Sequence, residues 1–141
     1  MGCKQVFKAL DILKKNGFKT TKKREEILRY LFEADRYTSA KEVYQHMNKL
    51  YTGISYDTIY RNLNDFSIHG VIEETELNGE KKFRFHCSHD NHEHHHHFIC
   101  TNCGSTKEIN MCPMGYFEDQ LADCKITGHR FEIFGLCANC Q

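Results

Sequence analysis

The sequence predicts an α+β protein of two small units. The first is helical and closes with a β-hairpin; the second is a smaller α/β unit built around a four-cysteine metal site. Three observations carry this. Apolar residues recur at helical spacing in four stretches before residue 70. The pair Asn78-Gly79 separates two strand-like runs. Seven of the eight cysteines and seven of the ten histidines fall after residue 86.

The first helical stretch places Val6, Leu10 and Leu13 on one face and stops at Asn16-Gly17. The second carries Ile27, Leu28, Leu31 and Phe32, with Thr21 as its N-cap. Val43, Tyr44, Met47 and Leu50 form the third, after Ser39. The fourth is "SYDTIYRNLNDFSIHG", with Ser55 as N-cap and Gly70 as stop. Its Ile59, Leu63 and Phe66 turn inward, which leaves Asp57, Tyr60, Arg61 and Asn64 outside. "VIEETEL" and "EKKFRFH" then flank the Asn-Gly turn. Helices followed by such a hairpin describe a winged helix-turn-helix. Asp57, Tyr60, Arg61 and Asn64 then face DNA, and Lys81, Lys82 and Arg84 put positive charge on the wing near phosphates. A small helical core with a surface hairpin is the plainer alternative.

The chain changes character at about Cys87. "HHHHFIC", "STKEIN" and "HRFEIFGLC" suggest strands, and "MGYFEDQLADC" suggests a helix. The expected organisation is a DNA-binding domain over 1–86, a polar hinge over 87–93, and a metal-binding domain over 94–141.

The zero net charge of the 141 residues hides an asymmetry. Residues 1–86 carry 16 Lys and Arg against 12 Asp and Glu, and residues 87–141 carry 3 against 7. A basic half suits a nucleic-acid partner, although basic runs also simply solvate helix faces. No apolar run reaches 18 residues and no charged-then-apolar leader opens the chain, so a soluble, cytoplasmic protein with no membrane partner is expected.

Cys100-Thr-Asn-Cys103 and Cys137-Ala-Asn-Cys140 form a CxxC…CxxC pattern. Each pair can reach one ion from a tight turn, and together they supply four thiolates in a structural zinc site. The 33 residues between them exceed a ribbon gap, so secondary structure must intervene. A redox CxxC or unrelated thiols is the competing interpretation. The histidine run before Cys100 is internal, unlike a purification tag. If it is a strand, His95 and His97 face one way, and His94 and His96 the other. One strand can then serve two metal sites, or present a solvated polyhistidine surface.

"SYDTIYRNLNDF", the wing, "HHHHFICTNCG" and the terminal "CANC" together resemble the ferric-uptake-regulator superfamily, and within it the zinc-uptake regulators most. The resemblance implies a dimeric, metal-responsive repressor that binds double-stranded operator DNA, and it assigns dimerisation to the metal-binding domain over 94–141. It puts structural zinc on Cys100, Cys103, Cys137 and Cys140. It puts the regulatory zinc on Glu73, Cys87, His95 and His97, and a third site on His94, His96, Cys112 and His129. Two features depart from the family. The loop from Cys87 to His95 is longer than usual and holds His89 and His92, which with His86 just before Cys87 are alternative donors. Cys112 stands where many relatives have glutamate. Cys3 and Cys124 match nothing and read as ordinary thiols, and His46 and His69 as plain helix residues.

A thiolate with two imidazoles and a carboxylate suits zinc. The expected function is repression of zinc-uptake genes by a zinc-loaded homodimer. An iron- or peroxide-responsive relative, or a zinc buffering and delivery protein, are the alternatives. No small-molecule substrate is implied. "HEHHHH" lacks the HExxH spacing of zinc hydrolases, and the candidate sites are filled by protein donors, so no enzyme is expected.

Overall fold

The structure is a computed structural model that describes residues 3–86, 96–109 and 111–141, with Cys3 as backbone alone. The chain divides into two compact units, Met1–His86 and Cys87–Gln141.

The first unit runs α1 (Cys3–Lys15), α2 (Lys22–Ala34), β1 (Thr38–Ser39), α3 (Ala40–Leu50), α4 (Tyr56–Ile68), β2 (Ile72–Leu77) and β3 (Glu80–Phe85). Its helix ends are set by local chemistry. Thr21 accepts a hydrogen bond from the Arg24 N–H at 3.2 Å. Ser39 and Glu42 close a reciprocal capping box, with both bonds at 3.1 Å. Ser55 accepts from the Thr58 N–H at 3.0 Å. Each satisfies a donor that the first helical turn cannot. At Gly17 and Gly70 the backbone takes positive φ, and the residue after each donates back across the last turn: Phe18 N–H to the Leu13 carbonyl and Val71 N–H to the Phe66 carbonyl, both at 3.0 Å.

The helical stripes meet in one core. Leu10 and Leu13 from α1, Ile27, Leu28 and Leu31 from α2, Val43 and Met47 from α3, and Ile59, Leu63 and Phe66 from α4 are all buried. Asn78 and Gly79 both have positive φ (55° and 79°), the type I′ geometry that suits strand twist, and β2 pairs antiparallel with β3. The two-residue β1, too short to show periodicity, adds to the other edge of β3 and gives the order β1-β3-β2.

In the second unit β4 (His96–Cys100) is the middle strand. It pairs antiparallel with β5 (Thr106–Ile109) and parallel with β6 (Glu132–Gly135). The expected helix over 114–124 is shorter: α5 covers only Met114–Glu118, followed by one 3-10 turn, Asp119–Leu121. Pro113 gives no side-chain cap, Gly115 lies inside α5, and neither piece buries a residue, so nothing extends the helix. The strand expected over 129–137 narrows to β6. Gly135 is required by close packing, because a Cβ there would stand 3.1 Å from the Phe98 ring.

Candidate metal centres and nucleic-acid interface

The parallel pairing of β4 with β6 brings the two CxxC turns together. Cys100 lies opposite Gly135, and the Thr101 N–H donates to the Gly135 carbonyl at 2.8 Å. Cys100, Cys103, Cys137 and Cys140 thereby cluster with all four sulfurs within 4.8 Å of one another. Cys103 and Cys137 Sγ are 3.8 Å apart. Zinc–sulfur bonds of about 2.3 Å at the tetrahedral angle space sulfurs about 3.8 Å apart, so the donors fit zinc.

Main-chain donors favour the thiolate at this cluster. The N–H groups of Cys103 and Cys137 point at Cys100 Sγ at 3.5 and 3.4 Å, and lower its pKa to about 6. Cys137 is lowered as well, first by a hydrogen bond with Ser105. Cys140 is pushed up to about 11. An Asn102 hydrogen bond works against that rise, but neighbouring cysteines and burial outweigh it. Without a cation, four adjacent thiols cannot all ionise.

A second cluster joins three segments of the same unit. Buried His96 on β4, Cys112 between β5 and α5, and His129 before β6 converge. His129 Nε2 lies 3.4 Å from His96 Nε2 and 3.5 Å from Cys112 Sγ. Tetrahedral zinc with bonds of about 2.0–2.3 Å would space two imidazole nitrogens about 3.3 Å apart, and nitrogen and sulfur about 3.6 Å. Phe131 packs edge-on against the His96 ring, with centroids 5.5 Å apart, and helps to hold it. His94, the fourth residue expected here, lies outside the described residues.

His97 occupies the opposite face of β4. Directly paired residues project to one side of a sheet. His97 pairs with Glu108 on β5 and with Glu132 on β6, so it shares a face of the sheet with two glutamates. Sequence reading missed both glutamates, because strand periodicity gives faces but not register. Of the other residues expected to share an ion with His97, Cys87 and His95 lie outside the described residues, as do His89 and His92. Glu73 lies on β2, 3.1 Å from His86 Nδ1 and 3.8 Å from Arg84. The hydrogen bond to Glu73 raises the His86 pKa.

On α4 the side chains of Asp57, Tyr60, Arg61 and Asn64 are all exposed, and Arg61 pairs with Asp57 at 2.8 Å one turn away. Lys81 is exposed on the wing; half-buried Lys82 pairs with Glu80 at 3.5 Å. Arg84 corrects the expectation. It is 6 % exposed, 3.2 Å from Asp35 and next to Glu73, and cannot serve as a phosphate contact on the wing surface. Asp35, in a left-handed conformation at the end of α2, presents the carboxylate that turns the guanidinium inward.

The ferric uptake regulator family profile matches residues 15–134. The chain belongs to this family. The ferric uptake regulation protein of Staphylococcus epidermidis is 50 % identical over 133 residues, covering 94 % of each chain. The Vibrio cholerae ferric uptake regulator structure is 29 % identical, covering 89 % of this chain and 96 % of that one, with a TM-score of 0.64. A zinc uptake regulator complexed with zinc and DNA shares the fold at a TM-score of 0.73 and 22 % identity, covering 99 % of this chain and 94 % of that one. The family match and the fold agree on a metal-responsive transcription regulator. Among the described residues, no helix is long and apolar enough to cross a membrane.

Proposed function

We propose that this member of the ferric uptake regulator family is a zinc-responsive transcriptional repressor. As a zinc-loaded homodimer in the cytoplasm, it binds double-stranded operator DNA and represses zinc-uptake genes. The observation that carries this reading is the donor chemistry. Two clusters present sulfur and nitrogen at tetrahedral zinc spacing, and the sequence offers a further thiol, Cys87, two residues after β3.

In this reading Cys100, Cys103, Cys137 and Cys140 hold structural zinc. Glu73, Cys87, His95 and His97 are the regulatory ligands, and His96, Cys112 and His129, with His94, form a third site. Zinc supplies directed bonds that tie its ligands to fixed mutual positions. Glu73 belongs to the first unit and His97 to the second, so a shared ion restricts how the units move. In a two-fold dimer that restriction sets the separation of the recognition helices, which must match half-sites about 34 Å, or a multiple, apart. Metal binding then shifts a population towards the DNA-binding form. Arg61 and Tyr60 on α4 read bases, and Lys81 and Lys82 contact phosphates. Dimerisation falls to the second unit, where Tyr116, Phe117, Phe131, Ile133, Phe134 and Leu136 are exposed apolar side chains.

A ferrous-iron response is the second reading, and two observations favour it. Relatives 50 % identical are named ferric uptake regulation proteins, and Glu108 and Glu132 offer oxygen donors beside His97. A peroxide sensor would want a carboxylate where Cys87 stands. The test is operator binding titrated against buffered zinc, with ferrous iron and manganese in parallel. Zinc-dependent binding at the lowest free metal supports the proposal, and iron-dependent binding alone replaces it with the second reading. Tight zinc binding with no effect on DNA affinity would mean a buffering or delivery protein.

A further inference from the structure

The four-cysteine cluster has an asymmetry that its sequence pattern hides. Both turns carry asparagine at the same place, Cys-Thr-Asn102-Cys and Cys-Ala-Asn139-Cys. Only one of the two amides reaches a sulfur. Asn102 Nδ2 donates across the cluster to Cys140 Sγ at 3.3 Å, joining turns 38 residues apart. Among the described residues, the Asn139 side chain makes no hydrogen bond to a thiolate. Ser105, just past the first turn, puts its Oγ 3.1 Å from Cys103 Sγ. Two main-chain N–H groups point at Cys100 Sγ. Asn102 therefore supplies a side-chain donor to a sulfur of the opposite turn, and the Ser105 hydroxyl, which accepts from the Cys103 thiol, can donate in turn once that sulfur is a thiolate.

Four thiolates around one divalent cation leave a net charge of −2 on the cluster. That excess sits on sulfur lone pairs, where it makes each thiolate a better nucleophile and a readier target for protons and electrophiles. An N–H or O–H aimed at a coordinated sulfur withdraws part of it, as outer hydrogen bonds do for metal ligands generally. Cys140 lies on the second turn, and its sulfur accepts from the Asn102 amide of the first. The Asn102 amide both orients its sulfur and quiets it.

We propose that Asn102 is a positioning residue of the four-cysteine site that retains zinc by holding and neutralising the Cys140 thiolate, that Ser105 plays a lesser part at Cys103, and that Asn139 has no such role. The proposal rests on the structural-zinc reading of that cluster.

The test uses the full chain in a Cys87→Ser, Cys112→Ser background, so that the cluster supplies the metal-bound thiolates. Zinc release to a chromophoric chelator is timed for Asn102→Ala, Asn102→Asp, Ser105→Ala and Asn139→Ala. Asn102→Ala is expected to release zinc roughly 10-fold faster, within the usual range for outer-shell partners. Asn102→Asp, which adds a charge of the wrong sign, is expected to be faster still. Ser105→Ala should give a smaller acceleration, and Asn139→Ala should match the background. Cobalt(II) substitution gives a readout that mere loosening would not move. Removing the hydrogen bond raises the sulfur lone pair, so the thiolate-to-cobalt band should shift to longer wavelength in Asn102→Ala and stay in place in Asn139→Ala. Loss of zinc from Asn102→Ala during purification, with retention by Asn139→Ala, has the same meaning as faster release. Equal release by the two alanine variants, or faster release with an unmoved band, would overturn the proposal alone. A background protein that holds no zinc at the cluster would remove the structural-zinc reading and the proposal with it.

Discussion

Replacing Arg84 by alanine should cost stability and leave the electrostatics of DNA binding intact. A basic residue on a wing is ordinarily assigned to phosphate. Here the guanidinium is enclosed, 3.2 Å from Asp35 and 3.8 Å from Glu73. The Asp35 side chain is 82 % exposed, so that pair is screened and contributes under about 1 kcal/mol. Glu73 is more enclosed, and losing the neighbouring guanidinium leaves its carboxylate less well compensated, at a cost of about 1 kcal/mol. The buried stem of Arg84 adds packing. Together these suggest roughly 2 kcal/mol, or a fall in melting temperature of roughly 8–16 °C for a unit of this size.

The chain has no tryptophan, so unfolding of Arg84→Ala is best followed by far-UV circular dichroism in urea. Operator affinity is measured in parallel at several salt concentrations. Arg84→Ala should lower the urea midpoint and keep the wild-type salt slope. Lys81→Ala should do the reverse, keeping the midpoint and reducing the salt slope by about 1. An Arg84→Ala protein with wild-type stability and a shallower slope would refute the buried-pair argument and return Arg84 to the DNA surface.

Cys137→Ser should lose the structural zinc and the dimer together, read by metal analysis and sedimentation, because such sites supply folding free energy on the order of 10 kcal/mol. Arg61→Ala should lose discrimination at one operator position, roughly 1–3 kcal/mol, rather than weaken binding to operator and random DNA alike. His95→Ala should abolish zinc-dependent operator binding, whereas Cys112→Ser should only change its sensitivity; comparable loss from both would reverse the ranking of the sites. Cys87→Ser should keep the fold and the structural zinc but lose most of the zinc response. Removing His86, His89 and His92 as well tests whether loop donors rescue it, and an unchanged zinc response in that combined variant would make Cys87 an ordinary thiol.

The first unit was legible because its elements are specified locally. Thr21, Ser39 and Ser55 cap the helices that follow them, Gly17 and Gly70 end two, and Asn78-Gly79 makes the hairpin. β1 was not legible, since two residues show no period and Thr38 and Ser39 pair with β3 only through the tertiary fold. Arg84 misled for a related reason. Alternation in β3 does not reveal that Asp35, 49 residues earlier, stands over its outward face. In the second unit α5 was overextended because "MGYFEDQLADC" has helix-forming composition, and composition does not show that these residues bury no face among the described residues.

Sites separate along the same line. Cys100, Cys103, Cys137 and Cys140 were readable from spacing because two residues between cysteines is itself the geometric requirement. Glu108, Glu132 and Asn102 were not, because each acquires its role through strand register or a partner far along the chain. β4 shows why register matters so much here. In five residues it sends His96 to one face, beside Cys112 and His129, and His97 to the other, the face of Glu108 and Glu132; it then ends at Cys100 within the four-cysteine cluster. A one-residue slip of β4 would exchange the two histidine faces and withdraw Cys100 from Gly135. Its pairing with both neighbouring strands therefore sets both histidine faces and the position of Cys100 at once. Any variant that loosens β4 should disturb both described donor clusters, whichever of their residues it leaves untouched.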